Sequence, residues 1–194
     1  MNALIVYTHP NPASFNHAIY ETAKRTLDQA GYAVECRELY AERFEVALDA
    51  ADFEAFAGAR VPADIEREQH LIAKADLLVF IYPVWWYDRP ALLKGWIDRV
   101  WTRGFAFDYG ADGRVGLLAG KQAVVFQTTG APLEAYAEDG QRDAIVWPMR
   151  DGTLRFCGLE VPIYETFHAV PYVSPAERAA MLKQVETSLA QLCV

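Results

Sequence analysis

The feature of this sequence that most constrains its fold is an uncharged apolar run at residues 77–82, which Pro83 follows directly. An apolar run of this length without polar alternation is typical of a strand that is buried on both faces of a parallel sheet. Elsewhere in the 194 residues, shorter apolar runs alternate with stretches in which apolar residues recur at helical spacing. This alternation predicts a parallel sheet that is covered by helices on both faces.

The predicted strands and helices follow one another along the whole chain. Strands are predicted at residues 3–7, 33–39, 77–82, 122–128 and 159–166. Five helical patterns are predicted. Two cover residues 65–74 and 143–156, and the other three begin after Ser14, at Pro90 and at Ser174. Residues 40–62 carry no clean period, and the five glycines of residues 104–120 predict a long loop or a hairpin. We predict one doubly wound α/β domain over residues 1–194.

Composition argues against several other classes of protein. The net charge of −8 is opposite to the basic surface that non-specific nucleic-acid binding needs. No apolar run reaches the roughly 18 residues of a membrane span, and the first residues lack the basic start of a signal peptide. Cys36, Cys157 and Cys193 form neither a CxxC pair nor a metal-ligand spacing. We therefore expect a cytoplasmic protein with inert thiols and no metal.

The predicted topology places the candidate site at three loops. Ligands of doubly wound sheets bind beyond the carboxyl ends of the strands, where the strand order switches. The loops after the first, third and fourth strands are residues 8–16, 83–88 and 128–136.

The first of these loops has no glycine, so it is neither a GxGxxG motif nor a P-loop. It offers Thr8, His9, Ser14 and Asn16 at the start of a helix, where free backbone N–H groups and the helix dipole favour an anion. The alternative is that Ser14 only caps the helix and that His9 is a surface residue.

The other two loops offer aromatic rings and hydroxyl groups. Trp85, Trp86 and Tyr87 are adjacent, and alternation cannot bury all three in one core. They predict a surface on which a planar conjugated ligand stacks, the alternative being two core rings and one interface ring. Thr128 and Thr129 precede a glycine at a strand end, and they suit the polar edge of such a ligand.

Several motifs together resemble the NAD(P)H:quinone oxidoreductase family, the flavodoxin-2 group. The motifs are His9 with residues 14–16, residues 83–87 with 90–100, residues 128–130 with Tyr136, and residues 147–148 with 156–158. The resemblance covers nearly the whole chain. It implies a flavodoxin-like fold with a doubly wound, five-stranded parallel sheet in the order 2-1-3-4-5.

The resemblance also implies an activity and a set of site residues. The activity is NAD(P)H dehydrogenase (quinone), with quinone-like, nitro or azo acceptors reduced by ping-pong hydride transfer through flavin N5. The cofactor is FAD, with FMN as the alternative, and the donor is NADPH or NADH. Cofactor-binding positions are His9, Ser14, Phe15, Asn16, Pro83, Val84, Trp85, Trp86, Tyr87, Thr128, Thr129, Gly130, Ala131 and Arg178.

Further roles implied by the resemblance concern the acceptor and the assembly. Tyr136 is the catalytic position, and the chain is a homodimer with the flavin near the interface. Phe105, Phe107 and Tyr109 roof the acceptor slot, or else pack within their own loop. Two alternatives remain open: a regulatory flavoprotein partner of a glutathione-gated potassium-efflux transporter, and a flavodoxin-type electron carrier.

The chain departs from some relatives just after Tyr136. These relatives carry a histidine there, whereas residues 137–142 of this chain contain none. Tyr136 with water could still stabilise a reduced flavin or a hydroquinone.

Overall fold

The computed structural model describes residues 1–136 and 141–193. The strands are β1 Asn2–Tyr7, β2 Ala33–Glu38, β3 Leu77–Pro83, β4 Phe107–Gly110, β5 Gly113–Gly116, β6 Gln122–Thr128 and β7 Glu160–Phe167. The helices are α1 Phe15–Gln29, α2 Ala50–Phe56, α3 Ala63–Lys74, α4 Ala91–Val100, α5 Gln141–Met149 and α6 Pro175–Leu192. A 3₁₀ turn covers Leu133–Tyr136, and a π-helical turn, Arg150–Leu154, follows α5.

Five strands form one parallel sheet in the order β2-β1-β3-β6-β7. The remaining two, β4 and β5, pair with each other as an antiparallel hairpin. Because β6 and β7 are the fourth and fifth strands of the large sheet, the predicted flavodoxin-like order 2-1-3-4-5 is confirmed. The hairpin lies in the glycine-rich stretch for which the sequence predicted a loop or a hairpin.

The central strand β3 explains the uninterrupted apolar run. Phe80 packs in a core that contains Trp96 of α4. Its neighbour Val79 packs on the opposite face of the sheet, in a core that contains Ile19 of α1 and Val185 of α6. Since both faces of the strand are covered, every residue of β3 is buried.

The structure contains a helix that apolar periodicity did not predict, α2. An ion pair stabilises this region: the Arg99 guanidinium donates to both carboxylate oxygens of Asp52, at 2.9 and 3.0 Å. Arg99 Nη1 also donates to Asp64 Oδ2 at 2.8 Å and to the carbonyl of Glu45 at 2.9 Å. Charged groups rather than an apolar stripe anchor α2, and a search for helical periodicity does not detect them.

The helix predicted over residues 143–156 changes its winding partway along. Its α-helical part ends at Met149, and the π-helical turn and a 3₁₀ turn continue it to Cys157. The Thr153 hydroxyl donates to the carbonyl of Pro148 at 2.8 Å, which provides a partner for that carbonyl in the wider turn.

Burial affects the thiols of two cysteines. Burial raises the pKa of Cys157 to about 12 and also raises the pKa of Cys36. Because the thiolate is the reactive form, both groups are poor nucleophiles near neutral pH. Within the part of the chain that the structure describes, no helix is both long enough and apolar enough to cross a membrane.

Candidate functional site

The three predicted loops meet at one cavity of about 470 Å³ beyond the carboxyl ends of the strands. The cavity is lined by His9, Ser14, Phe15, Asn16, Pro83, Val84, Trp85, Thr128, Thr129, Gly130, Val170, Pro171 and Arg178. The sheet itself brings the loops together, since Val84 N donates to Thr128 O at 2.8 Å and Thr129 N donates to Phe167 O at 2.9 Å.

One wall of the cavity is the beginning of helix α1. Ser14 caps this helix, its Oγ accepting from His17 N at 3.2 Å. The first N–H groups of a helix have no partner within the helix, and here they belong to Phe15 and Asn16, which line the cavity. The cap and the anion site are therefore compatible, because Ser14 accepts from the N–H of His17 and leaves those of Phe15 and Asn16 to a ligand.

His9 lies beside this helix start, and its ring is 6.0 Å from that of Trp85. Its Nδ1 accepts from Asn11 N at 3.0 Å, so the hydrogen of the neutral imidazole is on Nε2. Burial lowers the pKa of His9. At neutral pH the residue is an uncharged hydrogen-bond donor.

Asn16 ties the first loop to the third. Its Nδ2 donates to Thr128 Oγ1 at 2.8 Å, and both residues line the cavity. The amide oxygen Oδ1 is buried and has no hydrogen-bond partner among residues 1–136 and 141–193. A buried acceptor without a partner is rare in native proteins, and at a cavity wall it indicates a position where a ligand donates.

The aromatic residues after β3 form a strained turn. Trp85 and Asp88 exchange backbone hydrogen bonds of 2.8 and 3.1 Å. Between them, Trp86 and Tyr87 have φ angles of 50° and 62°. Left-handed backbone at two bulky residues costs on the order of 1–3 kcal/mol each, and such strain concentrates at functional sites. Trp86 is 97% exposed, as expected for a surface that meets another molecule.

Tyr136 is buried beside this turn. Its ring meets that of Tyr87 edge to face at 5.8 Å, and the ring of His168 lies 5.6 Å away on another side. His168 Nδ1 lies 3.0 Å from Thr129 Oγ1. The residues that follow Tyr136, where the sequence departs from some relatives, include 137–140, which lie outside the described residues.

Some predicted site residues lie away from the cavity wall. Phe105 and Phe107 pack against the core on the α4 side of the sheet, and Tyr109 is exposed on the hairpin. Ala131 contributes its carbonyl, which accepts from the Thr129 hydroxyl at 2.7 Å. Within one protomer, then, the hairpin residues do not line this cavity.

Sequence reasoning missed the contribution of the loop after β7. Val170 and Pro171 line the cavity, and Arg178 Nη1 donates to the carbonyl of Val170 at 2.9 Å. The topology could have predicted this contribution, because the fifth strand of a parallel sheet ends at the same edge as the fourth. Sequence reasoning also missed His168, because its partners Thr129 and Tyr136 are distant from it in the sequence.

The site can hold a planar cofactor with a phosphate-bearing tail. The helix start offers N–H donors to phosphate, and Asn16 Oδ1 offers an acceptor to a sugar-alcohol hydroxyl. The aromatic turn offers a stacking surface, and Thr128, Thr129 and Gly130 offer hydroxyl and amide groups to a polar ring edge. A flavin carries all four complementary groups. Among the described residues, no cluster of three or more His, Cys, Asp or Glu could hold a metal ion.

Fold and site together define a flavodoxin-like α/β protein with a ligand cavity at its topological switch point. The chain belongs to the flavodoxin-2 family, whose model, described as "Flavodoxin-like fold", matches residues 1–192. Ribosyldihydronicotinamide dehydrogenase [quinone] of Mus musculus is 36% identical over an alignment of 199 positions, which covers 92% of this chain and 86% of that protein. The resemblance predicted from the sequence motifs is confirmed.

Solved structures agree with this assignment. NAD(P)H:quinone oxidoreductase from Methanothermobacter marburgensis superposes with a TM-score of 0.86 at 30% identity, over 99% of this chain and 98% of that one. General stress protein 14 from Treponema denticola, in complex with FMN, gives a TM-score of 0.66 at 27% identity, over 99% and 98%. The prediction that the chain is an oxidoreductase is confirmed by its relatives.

Proposed function

We propose that this protein is a flavin-dependent NAD(P)H:quinone oxidoreductase. The observation that carries the proposal is the pairing, in one cavity, of a helix start with Trp85, the first residue of a strained aromatic turn. The names of the mouse and archaeal relatives support quinone as the acceptor class, and the FMN complex of the Treponema relative supports a flavin. Bound flavin would accept a hydride from the nicotinamide and pass it to the acceptor, so the protein's part is to bind and orient.

Each wall of the cavity has a distinct task in this proposal. The N–H groups of Phe15 and Asn16 hold phosphate, with His9 as an additional neutral donor. The turn at Trp85 excludes water from one face of the ring system. Thr128 and Thr129 fix its polar edge, and we assign the protonation of an acceptor oxygen to Tyr136.

FAD is the proposed cofactor, with FMN as the alternative. Arg178 supports FAD, since it lines the cavity and, among residues 1–136 and 141–193, its guanidinium donates only to the carbonyl of Val170. The remaining N–H groups of the Arg178 guanidinium suit a second phosphate group. If Arg178 contacts the second phosphate of FAD, the Arg178→Gln variant loses affinity for FAD but not for FMN, which has one phosphate. Measuring both affinities in the variant and in wild type tests this contact.

The proposed assembly is a cytoplasmic homodimer. Large exposed rings support an interface, since Trp86 is 97%, Tyr172 83% and Tyr109 58% exposed. In a dimer, the hairpin that carries Tyr109 would complete the acceptor slot of the partner rather than its own. The cytoplasm suits the reduced thiols and supplies the nicotinamide donors.

Steady-state kinetics test the proposal. With flavin-loaded protein, we expect both NADPH and a soluble benzoquinone to give parallel double-reciprocal lines, because donor and acceptor use one slot in turn. Intersecting lines would contradict the shared slot. Absence of quinone reduction with either NADPH or NADH would contradict the activity itself, and it would favour an electron carrier.

A further inference from the structure

A second cavity lies apart from the site described above. It has a volume of about 270 Å³, and its lining comes from Arg89, from α4, from the hairpin strand β4 and from the turns that follow α5. Of the described residues that line it, none also lines the cavity assigned to the flavin. The second cavity therefore takes no part in the proposed function.

The second cavity contains a buried charge. Arg89 lines it with a side chain that is 6% exposed, and a guanidinium group stays protonated in proteins. Its Nε and Nη1 are buried and have no hydrogen-bond partner among residues 1–136 and 141–193. Asp88 Oδ1 lies 3.6 Å from Nη1, too far for a hydrogen bond, and the Asp88 side chain is 48% exposed. A buried charge with so little compensation is rare and indicates a position for an acceptor from another molecule.

A second unpartnered donor lines the same cavity. The indole N–H of Trp101 is buried, and it has no hydrogen-bond partner in the described part of the chain. Asp98 adds a carboxylate to the lining, but both of its oxygens accept from Lys94 Nζ, at 2.5 and 2.6 Å. Both unpartnered groups of this cavity are thus donors, and one of them is a cation. The complementary ligand is an anion.

The rest of the lining favours an anion with an apolar body. Phe107 and Phe156 contribute rings that meet edge to face at 5.3 Å, and Ile97 adds an aliphatic side chain. The Arg114 guanidinium lies 4.5 Å from the ring centroid of Phe156 and adds positive charge nearby. Pockets for drug-sized ligands have volumes of about 300–1,000 Å³. A cavity of about 270 Å³ suits a smaller ligand.

We propose that this cavity is a second ligand site, which binds a small aromatic carboxylate. The carboxylate lies at Arg89, whose guanidinium has the fork geometry that two carboxylate oxygens match. The ring of the ligand packs against Phe107 and Phe156. Binding at this site does not depend on the proposed quinone reductase function, since the two cavities share no described lining residue.

Tryptophan NMR locates the bound ligand. The chain has five tryptophans, and ¹⁵N labelling of the indole gives each an N–H signal that Trp→Phe variants assign. Benzoate is titrated into protein that is saturated with flavin. We expect a saturable shift of the Trp101 signal with a Kd on the order of 1 mM, as for other small fragments. A shift confined to Trp85 or Trp86, or no saturable shift of Trp101, would overturn the proposal.

Two further probes separate the contribution of the charge from that of the ring. Benzamide has the ring without the charge, and inorganic phosphate has the charge without the ring. We expect each to bind at least about tenfold more weakly than benzoate, measured by the same Trp101 signal. Benzamide that binds as tightly as benzoate would contradict the role of Arg89. Phosphate that binds as tightly would contradict an aromatic ligand.

Arg89→Met tests the guanidinium, because methionine keeps an apolar stem and removes the charge. We expect the affinity for benzoate to fall by at least about tenfold. Without benzoate, we expect the urea midpoint to equal or exceed that of wild type, since an uncompensated buried charge is removed. Arg25→Met, exposed on α1 across the sheet, is the control and should keep the wild-type affinity. Unchanged affinity in Arg89→Met, or a lower midpoint, would show that Arg89 is only structural and would overturn the proposal.

Discussion

Asn16→Asp is expected to raise the flavin Kd by on the order of 100-fold, because like charges brought together at a binding site cost several kcal/mol. The change is nearly isosteric, and Asn16 is only 4% exposed at the start of α1. The new carboxylate would occupy the same positive helix end that is proposed to hold phosphate. It would also lose the donor to Thr128 Oγ1. Flavin fluorescence titration of the two proteins measures the ratio.

The matched control for this prediction is Asn11→Asp in the same loop. Asn11 is exposed, and its Oδ1 accepts from Ala13 N at 2.9 Å, a bond that aspartate keeps. We expect less than about a threefold change in Kd, since exposed charges are screened. The helix N-terminus favours the new negative charge, but its burial and the lost bond to Thr128 oppose it, so urea denaturation of the flavin-free variant checks that it is folded before the affinities are compared. Equal affinities for wild type and Asn16→Asp would contradict the phosphate site.

Arg99→Met is expected to lower the free energy of unfolding by about 3–5 kcal/mol, the cost of leaving one partner of a buried ion pair alone. Asp52 is 1% exposed and loses both of its hydrogen bonds from the guanidinium. Urea denaturation monitored by tryptophan fluorescence measures the difference. Lys94→Met, on the same helix, removes a cation from the exposed pair with Asp98 and is expected to cost less than about 1 kcal/mol.

The Arg99–Asp52 pair also predicts a pH dependence. Burial would raise the pKa of Asp52, but hydrogen bonds from Arg99 and from the N–H of Asp49 outweigh it and hold the pKa below its usual value. A carboxyl group with a lowered native pKa stabilises the fold above its unfolded pKa of about 3.9. That contribution disappears as the pH falls through the native pKa. The difference in the free energy of unfolding between wild type and Arg99→Met should therefore decrease in acid. A difference that is independent of pH would contradict the ion-pair account.

The parts of the fold that apolar patterns determine could be predicted from the sequence. The apolar run at β3 is typical of a strand that is covered on both faces, and the neighbouring elements were predicted from the alternation of apolar runs with helical patterns. Helix α2 could not be predicted in the same way, since Arg99 and Asp52 lie far apart along the chain and pair only in the folded molecule. The shift from α- to π-helical winding after Met149 is likewise set by tertiary context.

The candidate site, too, has features that the sequence predicts and features that depend on tertiary contacts. Strand ends placed the three loops, and the structure brings most of their predicted residues to one cavity. The hydrogen bond between Asn16 and Thr128, the strain at Trp86 and the contact of His168 with Thr129 depend on distances between segments. No spacing along the chain encodes them.

Anaerobic mixing of flavin-reconstituted protein with NADPH or NADH is the most direct test of the proposed function. We predict that the protein retains FAD or FMN, that the visible absorbance of the bound flavin bleaches rapidly on addition of at least one nicotinamide, and that a quinone restores it. Protein that retains neither flavin, or a bound flavin that neither nicotinamide bleaches, would contradict the assignment of this cavity to a flavin-dependent oxidoreductase.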